Sequence, residues 1–280
     1  MNIVKQNLLK NCPITTEDIM AAEDIFGPNL GSLKGKTARR GGEHVAIDRQ
    51  EVPRMIMERY RDVTLCIDIM YVSKIAFLVT VSRGIKFGTA ETLKDRKHPT
   101  IMTAIKHVVA IYSQRGFRVN TAHTDNEFEP MRAQLMDSKV HLNAVSNSEH
   151  VPEIERHIRT VKDRTRCTYS TVPFKKMPSR MIVEMVMSAT FWLNMFPPVD
   201  GISDVISPRG IIVGLTIDYN KHCRLEFGSY VQVHEEHDNS MKTRTTGATY
   251  RQRSRGLLLY ESHYWKTPNP KPLDTASNAT

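Results

Sequence analysis

Val63 to Val72 reads VTLCIDIMYV, and beyond Ser73-Lys74 the segment Ile75 to Ser82 reads IAFLVTVS. Both segments are dense in β-branched, aromatic and other apolar residues, the composition of buried strands, and Ser73-Lys74 fits a tight turn between them. An antiparallel pair is therefore expected. Within its first strand stands Asp68, with Leu65, Cys66 and Ile67 before it and Ile69 and Met70 after it. A buried carboxylate is costly unless it is paired, hydrogen-bonded or bound to a metal. The alternative is a strand edge that turns Asp68 towards water.

Working outward, a third strand around Ile85 to Ala90 completes a meander. Pro99 opens a helix to about Gln114, with Ile101, Ile105, Val108, Val109 and Tyr112 at helical spacing, and Gly116 ends it. A strand from Phe117 to Thr124, a helix from Met131 to Ser138, a strand from Val140 to Val145 and a helix from Pro152 to Tyr169 follow. A last helix, Ser179 to Phe196, is broken by Pro197-Pro198. Three strands followed by alternating helices and strands predict an α/β domain with a mixed sheet.

Upstream, Thr15 and Thr16 before Glu17 and Asp18 mark a helix start, and Gly27-Pro28 stops that helix. The following GSLKGKTARRGG sets Lys34, Lys36, Arg39 and Arg40 among glycines, which predicts a flexible basic linker and a candidate nucleic-acid contact. Downstream, LEFGSYVQVHEEH reads as a strand pair opening a small β module. The expected division is a helical and basic segment over 1–55, the α/β core over 56–200, a partial β module over 201–248, and a divergent, disordered tail over 249–280.

Thirty-nine Lys and Arg against 30 Asp and Glu leave a formal charge of +9, which favours an anionic partner without specifying a fold. Cys12, Cys66, Cys167 and Cys223 are too widely spaced for a Cys-x-x-Cys metal pair and read as reduced, mostly buried thiols of an intracellular protein. The most apolar run, Met181 to Phe196, contains Glu184 and Asn194 and is too short to span a bilayer, so no membrane partner is expected.

Two further acids fall at telling places. Asp125 ends a strand in His123-Thr124-Asp125-Asn126, a position that also suits a plain turn residue. Glu155 lies one turn into the helix that starts at Pro152, where a solvated acid is favoured by the helix dipole. Glu153 is its rival, but two positions apart the pair cannot share a helix face. Arg159, Lys162 and Arg166 follow Glu155 at offsets of 4, 7 and 11, forming one cationic stripe. Such a stripe suits a phosphate backbone, and it also suits a solvated charged face.

Jointly, Asp68, Asp125 57 positions later and Glu155 a further 30 on resemble the Asp-Asp-Glu set of retroviral-type integrases. LCIDIMYV resembles the first-strand motif of that family, and HTDNEFEP its Thr-Asp-Asn segment. VPEIERHIRTVKDRTR resembles the third-acid helix of copia-type retrotransposon integrases. GPNLGSLKGKTARR before the core and ISPRGIIVGLTIDYNKHCRLEFGSYVQVHEEH after it extend the likeness over roughly residues 12–247.

The resemblance implies a ribonuclease-H-like fold, a mixed five-stranded sheet flanked by helices with a small partial β module at the C-terminus. It implies DNA integration by a metal-dependent polynucleotidyl transferase, which processes 3′ ends and transfers strands. Asp68, Asp125 and Glu155 are then both catalytic residues and ligands of Mg²⁺ or Mn²⁺. The register of Arg156, Arg159 and Thr160 favours Glu155 over Glu153. Two divalent ions about 4 Å apart activate the incoming oxygen and stabilise the departing one, and hard cations prefer such carboxylate oxygens. Retroelement ends and target DNA, a homo-oligomeric state and a nuclear setting are implied in the same way.

The N-terminal His-His-Cys-Cys zinc module of the family has no counterpart before residue 60, where Cys12 and His44 stand alone. Past Gly247 the family-like text stops, a break that a one-base shift of the gene's reading frame would explain. Two other functions stay open: an inactive retroelement relic that only binds nucleic acid, and a ribonuclease-H-type nuclease.

Overall fold

The computed structural model describes residues 2–6, 11–27, 29–36, 49–144, 151–172, 177–223, 225–234, 245–250 and 264–266. They divide into two compact units. The smaller one begins with three helices, α1 (Asn2–Lys5), α2 (Thr16–Phe26) and α3 (Leu30–Lys36). The expected start of α2 is built as a capping box, with the Thr15 hydroxyl and the Asp18 carboxylate each bonding the other's backbone N–H.

The larger unit spans residues 49–229 of the described chain. After α4 (Arg54–Tyr60) come β1 (Asp62–Val72), β2 (Ile75–Ser82) and β3 (Gly88–Thr92). Then follow α5 (His98–Ser113), β4 (Arg118–Thr124), a 3-10 turn over Asn126–Met131, α6 (Arg132–Asp137) and β5 (His141–Ala144). The helices α7 (Pro152–Thr171), α8 (Ser179–Leu193), α9 (Pro208–Ile212) and α10 (Tyr219–His222) complete it.

The sheet order is β3-β2-β1-β4-β5. β1, β2 and β3 run antiparallel, while β4 and β5 lie parallel to β1. This is the mixed five-stranded sheet flanked by helices expected for a ribonuclease-H-like core. Its hairpin turns at Ser73 and Lys74, both in the left-handed region (φ 48° and 68°), the twist that a two-residue connection between antiparallel strands requires.

Strand alternation sorts the core onto two faces. Leu65 and Ile67 of β1 join Leu78, Ile101, Ile105, Val108 and Tyr112 on the α5 side. Cys66 and Met70 join Phe77, Val79, Ile154, Val161 and Val186 on the side covered by α7 and α8. Asp68 shares the parity of Cys66 and Met70, so β1 turns it to the α7 side.

Gly88, at the start of β3, locks that side together. A Cβ there would meet the His157 ring of α7 at 2.5 Å. The side-chain amide of Asn194 accepts from the Gly88 N–H at 2.8 Å and donates to its carbonyl at 2.7 Å.

Four sequence expectations need correction. The stretch 201–229 belongs with the larger unit and not with a β module: the Ser207 hydroxyl caps α9 by accepting from the Gly210 N–H at 3.0 Å, and Ile211, Ile212 and Val213 enter the α5-side core. Lys34 and Lys36 sit in α3 and not in a flexible linker; Asn29 starts that helix by accepting from the Ser32 N–H at 2.8 Å. Arg39 and Arg40 lie outside the described residues. The tail expected to be disordered contributes a strand, because Tyr264–Lys266 pairs with the edge of its neighbour. That strand, β8 (Tyr264–Lys266), completes the smaller unit's antiparallel sheet β6-β7-β8 with β6 (Tyr230–His234) and β7 (Thr245–Tyr250), and α3 packs on β7. The thiols expected to be mostly buried are not: among the cysteines only Cys66 is buried, Cys167 and Cys223 being exposed.

No helix of the described residues is long and apolar enough to cross a membrane.

Candidate catalytic site

The parallel pairing of β1 with β4 ends at Cys66 opposite His123. Carried two residues on, that register sets Asp68 level with Asp125. β1 continues past this point because β2 still pairs with it on the other side, Asp68 facing Val79. Asp125 lies just past the end of β4, where its carboxylate caps the 3-10 turn by accepting from the Glu127 N–H at 3.1 Å. The turn-residue reading of Asp125 is therefore correct as local structure, and it fixes the side chain beside β1. Glu155 stands in the first turn of α7, whose start is set by Pro152.

Asp68 is half-buried, and its carboxylate accepts from the Ile69 N–H at 2.6 Å. Burial pushes its pKa up, and the negative charges of Asp125, Glu127 and Glu155 push it further, against the pull of that N–H. Asp125 is also raised, by burial first and then by Glu127; the Glu127 N–H and the Arg96 charge oppose the rise. Three carboxylates thus act on Asp68 at this end of the sheet.

Glu153, two residues before Glu155, has a different environment. It bonds Arg83 of the β2–β3 turn at 2.8 Å. Burial pushes its carboxyl up, but hydrogen bonding to its own backbone and the Arg83 charge outweigh that, leaving it below the usual value. Beside it, Lys86 bonds Asp200 at 2.9 Å, and burial raises the Cys66 thiol to about 11.

The donor set of Asp68, Asp125 and Glu155 is all carboxylate oxygen, the chemistry that suits Mg²⁺ or Mn²⁺. The crowded negative field at Asp68 is one a cation relieves. The spacing is open, however: among the described residues no three His, Cys, Asp or Glu side chains are grouped to hold one metal ion.

Of the basic residues singled out from sequence, Arg159 and Arg166 are exposed on α7 and Lys162 is half-buried. Arg166 is engaged by Asp163 at 2.6 Å, so its contribution to a cationic stripe is partly cancelled. Lys34 and Lys36 belong to the other unit. Two residues next to the acids were not singled out as site residues from the sequence: Glu127, and Arg96, whose guanidinium bonds Glu127. The signal for Arg96 was the basic run Leu93-Lys94-Asp95-Arg96-Lys97-His98.

Compared with known proteins, the chain matches no family model and no curated protein. Among solved structures it is similar to the catalytic core domain of BIV integrase, with a TM-score of 0.40 and 16% identity. That match covers 53% of this chain and 92% of the other.

Proposed function

We propose that the larger unit is the catalytic core of a copia-type integrase, which processes and joins DNA ends. The observation that carries this reading is that Asp68, half-buried in an apolar strand, lies in the combined field of Asp125, Glu127 and Glu155. Carboxylates that repel one another destabilise the fold at neutral pH, and sites that bind cations concentrate such groups. The three motif segments identified from the sequence supply these same acids.

In this reading Asp68, Asp125 and Glu155 would hold Mg²⁺ or Mn²⁺, which would supply activation of an attacking oxygen and stabilisation of a leaving one. The chain's own contribution is positioning. The Ile69 and Glu127 N–H groups orient Asp68 and Asp125. Arg159 and Lys162 offer phosphate contacts along α7, supplying affinity without sequence preference. DNA as partner, self-association and action in the nucleus follow from the same reading.

A second reading, a relic that binds nucleic acid without catalysis, is favoured by the open spacing of the acids. Incubating the full chain with a short labelled duplex and Mn²⁺ separates the two. Joined or trimmed products from the wild type, lost in Asp125→Asn with the fold intact, support the integrase. Binding without products supports the relic, and cleavage confined to RNA–DNA hybrid supports a ribonuclease H.

A further inference from the structure

The loop between β3 and α5 carries three exposed cations, Lys94, Arg96 and Lys97, beside the acid site. Its shape is pinned from within: the Asp95 carboxylate accepts from the Lys97 N–H at 3.1 Å and from the Thr100 hydroxyl at 2.6 Å. Within this loop the Arg96 guanidinium lies over the Tyr71 ring of β1, 5.9 Å from the centroid. It bonds the carboxylate of Glu127, one of the acids whose charge reaches Asp68.

This pair is not a buried structural bridge. The Arg96 side chain is 53% exposed and that of Glu127 36%. Exposed pairs of this kind contribute little to stability and exchange partners readily. A guanidinium beside an aromatic ring is attracted to its face while its forked N–H donors stay available, and that fork matches a phosphate. The Asp125 carboxylate beside it would otherwise repel a DNA backbone.

We propose that Arg96 is a phosphate clamp: it leaves Glu127 for a backbone phosphate of DNA entering the site, with Tyr71 as its platform and Glu127 as the latch of the empty protein. The clamp adds a phosphate contact to those of α7, and it rests on the reading that DNA is the substrate.

The test is binding of a short fluorescent duplex to the full chain by anisotropy, over a series of KCl concentrations. Arg96→Ala is expected to weaken binding about tenfold and to lower the slope of log affinity against log salt by about 1. Glu127→Gln frees the clamp and tightens binding several-fold. In the double variant that gain disappears, because no guanidinium remains to be released. Arg96→Lys, which keeps the charge but not the fork, falls between wild type and Arg96→Ala, and it carries the test should Arg96→Ala fail to fold.

Unchanged affinity and slope in Arg96→Ala overturn the proposal. So does a Glu127→Gln gain that survives in the double variant, which marks simple charge removal, and so does a wild type that binds no duplex. The catalytic reading fails separately: binding that changes as expected without any DNA joining leaves the clamp standing and removes the integrase.

Discussion

Two acids in the first turn of α7 lead opposite lives. Glu153 meets Arg83 across 2.8 Å, and the neighbouring Asp200 meets Lys86, whose hydrogen bond and charge hold that carboxyl below its ordinary value. Both of these acids are paired with a cation, as in ordinary surface stabilisation. Glu155 instead acts on Asp68 together with Asp125 and Glu127, and both aspartates are driven upward. A helix start tolerates acids for reasons of dipole alone, so position does not separate the two. Their surroundings do: Glu153 is paired with Arg83, whereas Glu155 adds its charge to those of Asp125 and Glu127 beside a half-buried carboxylate. The second arrangement is the kind that a cation would relieve, as the proposed function requires.

The largest expected effect is on catalysis. Asp68→Asn should reduce Mn²⁺-dependent DNA joining by about 100-fold or more, since even residues that only support metal ligands cost 10–100-fold. Glu153→Gln should leave joining within a few-fold of wild type, and quantified product bands from single-turnover reactions check both. Equal losses would erase the distinction between the two sides of the turn.

Next comes the joint that holds α7 in place. Gly88→Ala sets a Cβ 2.5 Å from the His157 ring, and overpacking of this kind costs about 1–3 kcal/mol. Urea unfolding should show a lower midpoint with an unchanged slope. Full stability in the variant would mean that α7 is free to shift and that the close contact sets nothing.

The pH dependence of stability sharpens the contrast further. Asp68 has its folded pKa raised, so the native state holds its proton more tightly than the unfolded chain does. Its ionisation therefore removes stability as pH rises from the unfolded value through the folded one. Asp68→Asn should melt at a higher temperature than wild type at pH 7, and the gain should vanish below about pH 3, under the ordinary Asp value near 3.9. Equal or lower melting at pH 7 would show that the acid cluster is not repulsive.

The smallest effect belongs to the paired side. Arg83→Ala removes a bridge whose Arg side chain is 49% exposed, worth about 0–1 kcal/mol, and denaturant titration should find no more than that.

Much of the fold was legible because its signals are local. The apolar runs around Asp68, the Ser73-Lys74 turn and the Thr15 capping box each declare themselves within a few residues. The face taken by Asp68 follows from strand alternation with Cys66 and Met70. What eluded the sequence depends on distant segments meeting. The level of Asp125 against Asp68 is set by the parallel register of β1 and β4, and nothing within either strand announces it. Gly88 meeting His157 and Asn194, Glu153 meeting Arg83, and Arg96 meeting Glu127 are tertiary pairings of the same kind. The burial of Ile211 and Ile212 was missed because a short capped helix carries too few turns to show a period. The pairing of Tyr264–Lys266 with β7 was missed because three residues are too few to alternate.

Mn²⁺ binding to the full chain, followed by calorimetry in the absence of DNA, tests the central claim most directly. Wild type should bind, Glu155→Gln should bind at least about tenfold more weakly, and Glu153→Gln should match wild type. Loss on substituting Glu153 with none on substituting Glu155, or a wild type that takes up no Mn²⁺, would contradict the account.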